Sequence, residues 1–101
     1  MKIYWRKSAI RSLLDLDRWR KEQDLSPMGL FLREHVNRYF QRQDFSVYVP
    51  GKAVFIQGYS IDLRMVLISV GASDPYKVFY RFTRYSIEIF MVRHPRQKSL
   101  V

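Results

Sequence analysis

The spacing of the apolar residues changes near the middle of this chain, at Pro50-Gly51. Before that point apolar side chains recur three and four residues apart, as on a helix that buries one face. After it they alternate with polar residues, and β-branched and aromatic residues are frequent, as in strands. Helices followed by a run of strands predict an α+β domain in which the helices pack on one face of the sheet.

The first third of the chain predicts a strand and a helix. Polar and large apolar side chains alternate over residues 2–6, which is typical of a short strand. A helix is predicted over residues 8–23, with Ser8 as its N-cap because a serine hydroxyl can accept a hydrogen bond from a free amide of the first turn.

A second helix is predicted from Ser26 to about Gln43. Ser26 is the expected N-cap, and Pro27 stands at the first helical position, where its missing N–H is not needed. Leu25 is placed to pack on Leu30 across the start of the helix. Only two or three residues then separate the helices, so they are expected to form an antiparallel hairpin.

Three to four strands are predicted after Pro50. A weak strand at residues 54–56 precedes an apolar segment, residues 63–70, that has the character of a central strand. A turn at 71–75 leads into an alternating strand, residues 76–82, and a short link at 83–85 leads into another, where Ile87, Ile89 and Met91 alternate. The sheet is therefore expected to be mainly antiparallel, with cations on the face away from the helices.

Composition limits the chain to one small basic domain, residues 1–101. It has 101 residues, a formal net charge of +9, 48% hydrophobic residues and no cysteine. Disulfides and thiolate metal sites are excluded, and a reducing, cytoplasmic location is expected. No apolar run approaches the ~20 residues of a membrane span. No glycine-rich phosphate loop and no histidine spacing typical of a metal site occurs, so no cofactor and no metal are expected.

The chemically informative residues are cations near the C-terminus. Lys77 and Arg81 stand two residues before and two residues after Phe79, so they share one face of a predicted strand. The segment 93–98, RHPRQK, follows the next strand. Arginine forks fit phosphate and carboxylate groups, and a sheet holds them at fixed spacing, which favours a surface for an anionic ligand or partner. A basic surface that only maintains solubility is the alternative.

The order of elements and several short segments resemble the ParE/RelE superfamily, the small toxins of bacterial type II toxin–antitoxin pairs. The resemblance covers nearly the whole chain and is most specific in residues 76–82, YKVFYRF, and 87–94, IEIFMVRH. The other segments that carry it are Trp5, Ser8-Ala9, Leu13-Leu14-Asp15, Leu63-Arg64-Met65 and Arg96-Gln97. It implies an N-terminal strand, an antiparallel helical hairpin and a three- to four-stranded, mainly antiparallel sheet with the helices on one face.

The two branches of this superfamily act differently. RelE-like members cut messenger RNA on the ribosome, whereas ParE-like members inhibit DNA gyrase. No tyrosine follows Arg96 here, and the histidine-x-arginine-glutamine ending is closer to the ParE branch. Gyrase inhibition is therefore the expected activity, with a ribosome-dependent endoribonuclease and a non-toxic interaction protein as alternatives. If the chain is a ribonuclease, its catalytic residues are expected to be Lys77, Arg81, His94 and Arg96.

The resemblance also implies partners. A cognate ParD-like antitoxin is expected, together with DNA gyrase or, for the ribonuclease alternative, the ribosome and messenger RNA; no membrane partner is expected. The residues expected to bind the target are Arg81, Arg93, His94 and Arg96. Those expected to bind the antitoxin are Trp19, Tyr39, Arg64 and Lys77.

Overall fold

A five-stranded sheet carries two helices on one face in the computed structural model, which describes residues 1–71 and 75–97. The chain first forms β1 (Lys2–Trp5), α1 (Lys7–Glu22) and α2 (Gly29–Gln41). Four more strands follow: β2 (Lys52–Val54), β3 (Leu63–Ile68), β4 (Tyr76–Phe82) and β5 (Ser86–Arg93). The predicted α+β class is confirmed. Of the predicted turn at 71–75, residues 72–74 lie outside the described residues, as does Lys98 of the basic segment.

The strands lie in the order β1-β5-β4-β3-β2. Neighbours from β2 to β5 pair antiparallel, and β1 pairs parallel with β5. The prediction of three to four strands in a mainly antiparallel sheet undercounts it, because the N-terminal strand also joins the sheet. Ile3 and Trp5 of that strand pack against the main core, and this packing fixes β1 beside β5.

The main core lies between the helices and the sheet. Its helical side includes Leu16, Leu32 and Phe40, and its sheet side includes Tyr80 and Ile89, all at most 2% exposed. Burying side chains of this size contributes about 1.5–3 kcal/mol each, so this layer is the principal source of stability. No helix in the described part of the chain is long and apolar enough to span a membrane.

The start of α1 differs from the prediction. The helix begins at Lys7 with Arg6 as a cap that makes no side-chain hydrogen bond. The Ser8 hydroxyl instead donates to the carbonyl oxygen of Phe90 at 2.8 Å. One turn later, the Ser12 hydroxyl accepts from the backbone N–H of Val92 at 2.9 Å. The predicted cap is wrong because Ser8 lies one turn before Ser12, on the side of α1 that meets β5.

The start of α2 is capped from the other helix. Asp17 Oδ1 accepts from the backbone N–H groups of Met28 and Gly29, at 2.8 and 3.0 Å. The predictions for Ser26 as cap and Pro27 as first helical residue are therefore wrong, and the helix starts two residues after Pro27.

The helix connection is also longer than predicted. Residues 23–28 separate the helices. Leu30 is 82% and Leu25 is 45% exposed, so neither side chain is buried at the start of α2 as the prediction requires. The Trp5 indole N–H donates to Asn37 in the latter half of α2, while Asp17, late in α1, meets the start of α2. The helices accordingly run antiparallel, as predicted.

Asp17→Ala is expected to destabilise the protein by about 1–2 kcal/mol, because it removes the acceptor for two amides of a helix start. The measurement is chemical denaturation at neutral pH. Asp15→Ala is the matched control, since Asp15 forms only an exposed pair with Arg18 at 3.8 Å and should change stability by less than about 0.5 kcal/mol. Equal losses in the two variants would show that Asp17 does not cap α2.

The strands follow the predicted order with local differences. β2 lies at 52–54 instead of 54–56, β3 ends at Ile68 instead of Val70, and β4 occupies 76–82 as predicted. The pairing of β4 with β5 shifts register between Phe79 and Tyr80, so that Phe79 pairs with Met91 while Tyr80 pairs with Ile89. Phe90 is therefore the extra residue of a β-bulge. The predicted alternation of Met91 with Ile89 is wrong, because the bulge moves Met91 to the opposite face.

The face of the sheet away from the helices, here called the outer face, has its own apolar cluster. Phe79, Phe90 and Met91 are buried there under the segment between β2 and β3, which contributes Ile56 and Tyr59. The prediction that this face mainly carries cations is therefore only partly correct. Cations occupy its two ends, and an apolar centre separates them.

Candidate functional site

Lys77 and Arg93 lie directly opposite each other on the outer face. They are register partners in β4 and β5, and Leu67 of β3 is the register partner of Lys77 on the other side. These three residues form one row across three strands, here called the basic row. Directly opposed side chains lie about 5 Å apart at Cβ, so the two cations present their charge to the same small area of surface.

Arg81 lies at the other end of the outer face. Its Nη2 is 2.5 Å and its Nε 2.8 Å from Glu88 Oε2, and Glu88 Oε1 is also 3.9 Å from Arg6. Four residues along β4 separate Arg81 from Lys77, about 13 Å at the usual rise of a strand. The structure therefore does not bring Arg81 into the basic row, and the charge of Arg81 is balanced within the fold.

His94 is buried at the end of β5, with 8% of its surface exposed. Its ring stacks on Trp19 at 4.9 Å between centroids and meets Tyr76 edge-on at 5.3 Å. Nδ1 accepts a hydrogen bond from the backbone N–H of Arg96 at 3.0 Å. The sequence places His94 among surface residues for target binding, but the structure places its ring between two aromatic side chains.

Trp19 and Tyr76 hold the His94 ring in place at the start of the segment that follows β5. The Tyr76 hydroxyl accepts from Arg20 Nη1 at 3.3 Å and donates to the sulfur of Met28 at 2.9 Å. Trp19 itself is only partly exposed and packs against the main core. In the structure Trp19 holds the start of the C-terminal segment in place. Only the exposed edge of its ring is accessible to an antitoxin.

The turn after β5 brings Arg96 to the surface. The backbone N–H of His94 donates to Gln97 Oε1 at 2.8 Å, and that of Gln97 donates to the carbonyl oxygen of His94 at 3.0 Å. These bonds close a turn in which Pro95 and Arg96 are exposed. Arg93 and Arg96 therefore lie close in a segment that the buried His94 ring holds in place.

Arg64 lies on the helix-facing side of β3, away from the basic row. It donates to the carbonyl oxygens of Val49, Pro50 and Gly51, the closest at 2.6 Å. The hydroxyl of Tyr80 donates to the same Pro50 carbonyl oxygen. Arg64 thus holds the segment before β2 against the sheet, which is a structural role in addition to any contact with an antitoxin.

Tyr39 of α2 lies near Tyr80. Its ring meets that of Phe40 edge-on, with 5.2 Å between the centroids. Burial, followed by the neighbouring Tyr48, raises the pKa of its phenol above the usual value. The four residues expected to bind an antitoxin therefore do not form one surface. Trp19, Tyr39 and Arg64 face the helical side, and Lys77 lies on the outer face.

The buried Tyr80 phenol should make the protein less stable in alkali. Burial raises the pKa of Tyr80 from 10.0 to about 12. Between these values the unfolded tyrosine loses its proton while the folded one keeps it, so stability present below pH 10 declines as pH rises towards 12. The expected loss is on the order of 2 kcal/mol. It is measured by denaturation at pH 9 to 12, against Tyr80→Phe, and an equally steep decline in that variant would assign the loss to other groups.

Two outer-face residues were not identified from the sequence. Glu88 is the acid that neutralises Arg81, and Leu67, 53% exposed, is the apolar end of the basic row. The sequence does indicate the orientation of Glu88, because a strand residue between two inward-facing isoleucines points outward. No group of three metal-ligating side chains is found within residues 1–71 and 75–97.

Comparison with known proteins gives no relative: no protein-family model, curated protein or solved structure matches this chain.

Proposed function

We propose that this chain is the toxin of a type II toxin–antitoxin pair, that it acts by binding DNA gyrase, and that a ParD-like antitoxin neutralises it. The sequence resemblance to the ParE/RelE superfamily supplies the class. The observation that supports a binding mode of action is the position of His94, buried beside a surface that displays Lys77, Arg93 and Arg96.

RNA cleavage through a 2′-hydroxyl needs a group that exchanges protons near neutral pH. Lysine and arginine are ordinarily protonated there and serve poorly as bases. His94 is the one histidine near the basic row, and its Nδ1 is already occupied by the Arg96 N–H. The surface is therefore suited to attract an anionic partner, and the burial of the His94 ring favours binding over proton transfer as its role.

The geometry also supports a way for an antitoxin to neutralise the toxin. Lys77, expected to bind the antitoxin, is the register partner of Arg93, expected to bind the target. An acidic segment seated on Lys77 would cover Arg93 as well. Neutralisation then follows from exclusion of the target and needs no change of conformation in the toxin.

Regulated expression in bacteria tests the proposal. The chain alone should arrest growth and induce the response to DNA damage, and co-expression of a short acidic neighbouring reading frame should restore growth. Growth that continues normally at verified expression would favour the non-toxic interaction protein instead.

Primer extension on a translated message separates gyrase inhibition from ribonuclease activity. Neither the wild type nor His94→Gln is expected to produce codon-positioned cuts. Cuts by the wild type that disappear in a folded His94→Gln variant would establish the ribonuclease alternative and make His94 catalytic.

A further inference from the structure

The imidazole of His94 is part of the turn that follows β5. Pro95 has no backbone N–H, so the next donor along the chain is the N–H of Arg96, which donates to His94 Nδ1 at 3.0 Å. A backbone N–H can only donate, so Nδ1 carries no proton and the ring proton lies on Nε2. The structure therefore holds the neutral form of His94.

The same ring is the part of the turn that enters the fold. His94 is 8% exposed, and its ring stacks on Trp19 of α1 at 4.9 Å and meets Tyr76 of β4 edge-on at 5.3 Å. Arg96, by contrast, is exposed. The position of Arg96 near Arg93 thus depends on a buried group whose charge changes close to neutral pH.

The turn itself opposes a second proton on this ring. A protonated Nδ1 would face the Arg96 N–H as donor against donor, where the structure has a hydrogen bond of 3.0 Å. Burial penalises the charged form, and Arg93 and Arg96 are cations one and two residues away in the chain. Protonation therefore replaces an attractive contact in this turn with repulsive ones.

The elements packed against the ring contribute charges of both signs. On α1, Arg20 donates to the Tyr76 hydroxyl, and Asp17 accepts from two backbone amides at the start of α2. The Tyr76 hydroxyl of β4 in turn donates to the sulfur of Met28. The stack on Trp19 favours a charged ring, because a cation is attracted to an aromatic face, but it acts against burial, the donor–donor contact and three arginines.

We propose that His94 is a pH sensor for the surface that binds the target: in acid its ring takes up a proton from solvent at Nδ1, leaves Trp19 and Tyr76, and releases the turn 94–97. A histidine in water titrates near pH 6.5, and the released ring binds the proton more tightly than the packed one. The turn is therefore held above this pH and is lost as pH falls below it. The effect on target binding rests on the proposed function; the release of the turn does not.

The release is expected to move Arg96 and to leave the basic row in place. The two other bonds of the turn, between His94 and Gln97, do not involve the ring, so the turn can move as a unit. Arg93 remains the register partner of Lys77 in the sheet. Acid should therefore weaken target binding by about tenfold, as expected for the loss of one charged contact out of several.

Nuclear magnetic resonance of the full chain tests the sensor without any substitution. Imidazole nitrogen shifts should identify the Nε2–H form of His94 at about pH 7.5. As pH falls to about 5, the order parameter of the Arg96 amide should drop from about 0.85 to below about 0.6. The midpoint of this change should coincide with that of the His94 ring.

Two variants assign the transition. His94→Asn places an amide oxygen close to the position of Nδ1 but does not titrate in this range, so the Arg96 amide should show no transition there. His35→Gln removes the other histidine of the chain and should keep the full transition.

An Arg96 amide that stays rigid while the His94 ring is protonated would overturn the proposal. A ring that stays neutral at about pH 5 would overturn it as well, and so would a transition that persists in His94→Asn or disappears in His35→Gln.

Binding to purified gyrase, measured at the same two pH values, tests the link to the target. It should weaken about tenfold in acid for the wild type and not for His94→Asn, which corrects for titration of gyrase itself. Equal pH dependence in the two proteins would overturn this link. Release of the turn in a chain that binds no gyrase at either pH would keep the sensor and reject the proposed function, so the two proposals fail separately.

Discussion

Gly51→Ala is expected to destabilise the protein by about 3 kcal/mol, the largest loss of stability predicted for a single added methyl group. The residue adopts a left-handed φ of +84, which costs a side chain about 1–2 kcal/mol. Its Cβ would also lie 2.3 Å from the backbone oxygen of Met65, and relieving such a contact adds about 1–3 kcal/mol.

Gly58→Ala separates these two causes. Gly58 has a similar φ of +94, but nothing lies within 4 Å of a Cβ built there. It should lose only the conformational part, about 1–2 kcal/mol. Urea denaturation of both variants measures the difference. Equal losses would mean that the close approach of Gly51 to the Met65 carbonyl oxygen adds no cost of its own.

The combined change Lys77→Gln and Arg93→Gln is expected to abolish growth arrest. Lys77 is directly opposite Arg93, so a target seated on Arg93 should contact both cations. Charge-assisted contacts contribute about 1.5–3 kcal/mol each when desolvated, so losing two weakens target binding by more than about a hundredfold. The fold should persist, because both side chains lie on the outer face and neither belongs to a core cluster.

The control removes the same charge elsewhere. Lys21 and Arg42 are exposed, at the ends of α1 and α2, and Lys21→Gln with Arg42→Gln leaves the outer face unchanged. This variant should still arrest growth. If both double variants lose toxicity equally, net charge and not the basic row is responsible. Circular dichroism and melting temperatures verify that each variant is folded.

The α+β class and the places of both helices and of β4 follow from the sequence, because they depend on periodicities that a single segment carries. The helix starts do not. Ser8 and Ser26 have the chemistry of caps, yet Ser8 binds β5, and Asp17 from the other helix caps α2. A cap supplied from a distant part of the chain leaves no local pattern.

The candidate site shows the same limit. Lys77 and Arg93 could be assigned to neighbouring strands, but their direct opposition depends on the register and on the bulge at Phe90. Alternation along the strand also puts Arg81 on the same face as Lys77, and only the structure shows that Glu88 neutralises Arg81. The burial of His94 depends on Trp19, distant in sequence, so no analysis of the C-terminal segment alone would find it.

Supercoiling by purified DNA gyrase, titrated with the purified chain, is the most direct test of the proposed mode of action. The wild type should inhibit supercoiling in proportion to its concentration. The Lys77→Gln, Arg93→Gln variant should require more than about a hundredfold higher concentration, and the Lys21→Gln, Arg42→Gln variant should match the wild type. Undiminished supercoiling at a large excess of folded wild-type protein would contradict gyrase as the target.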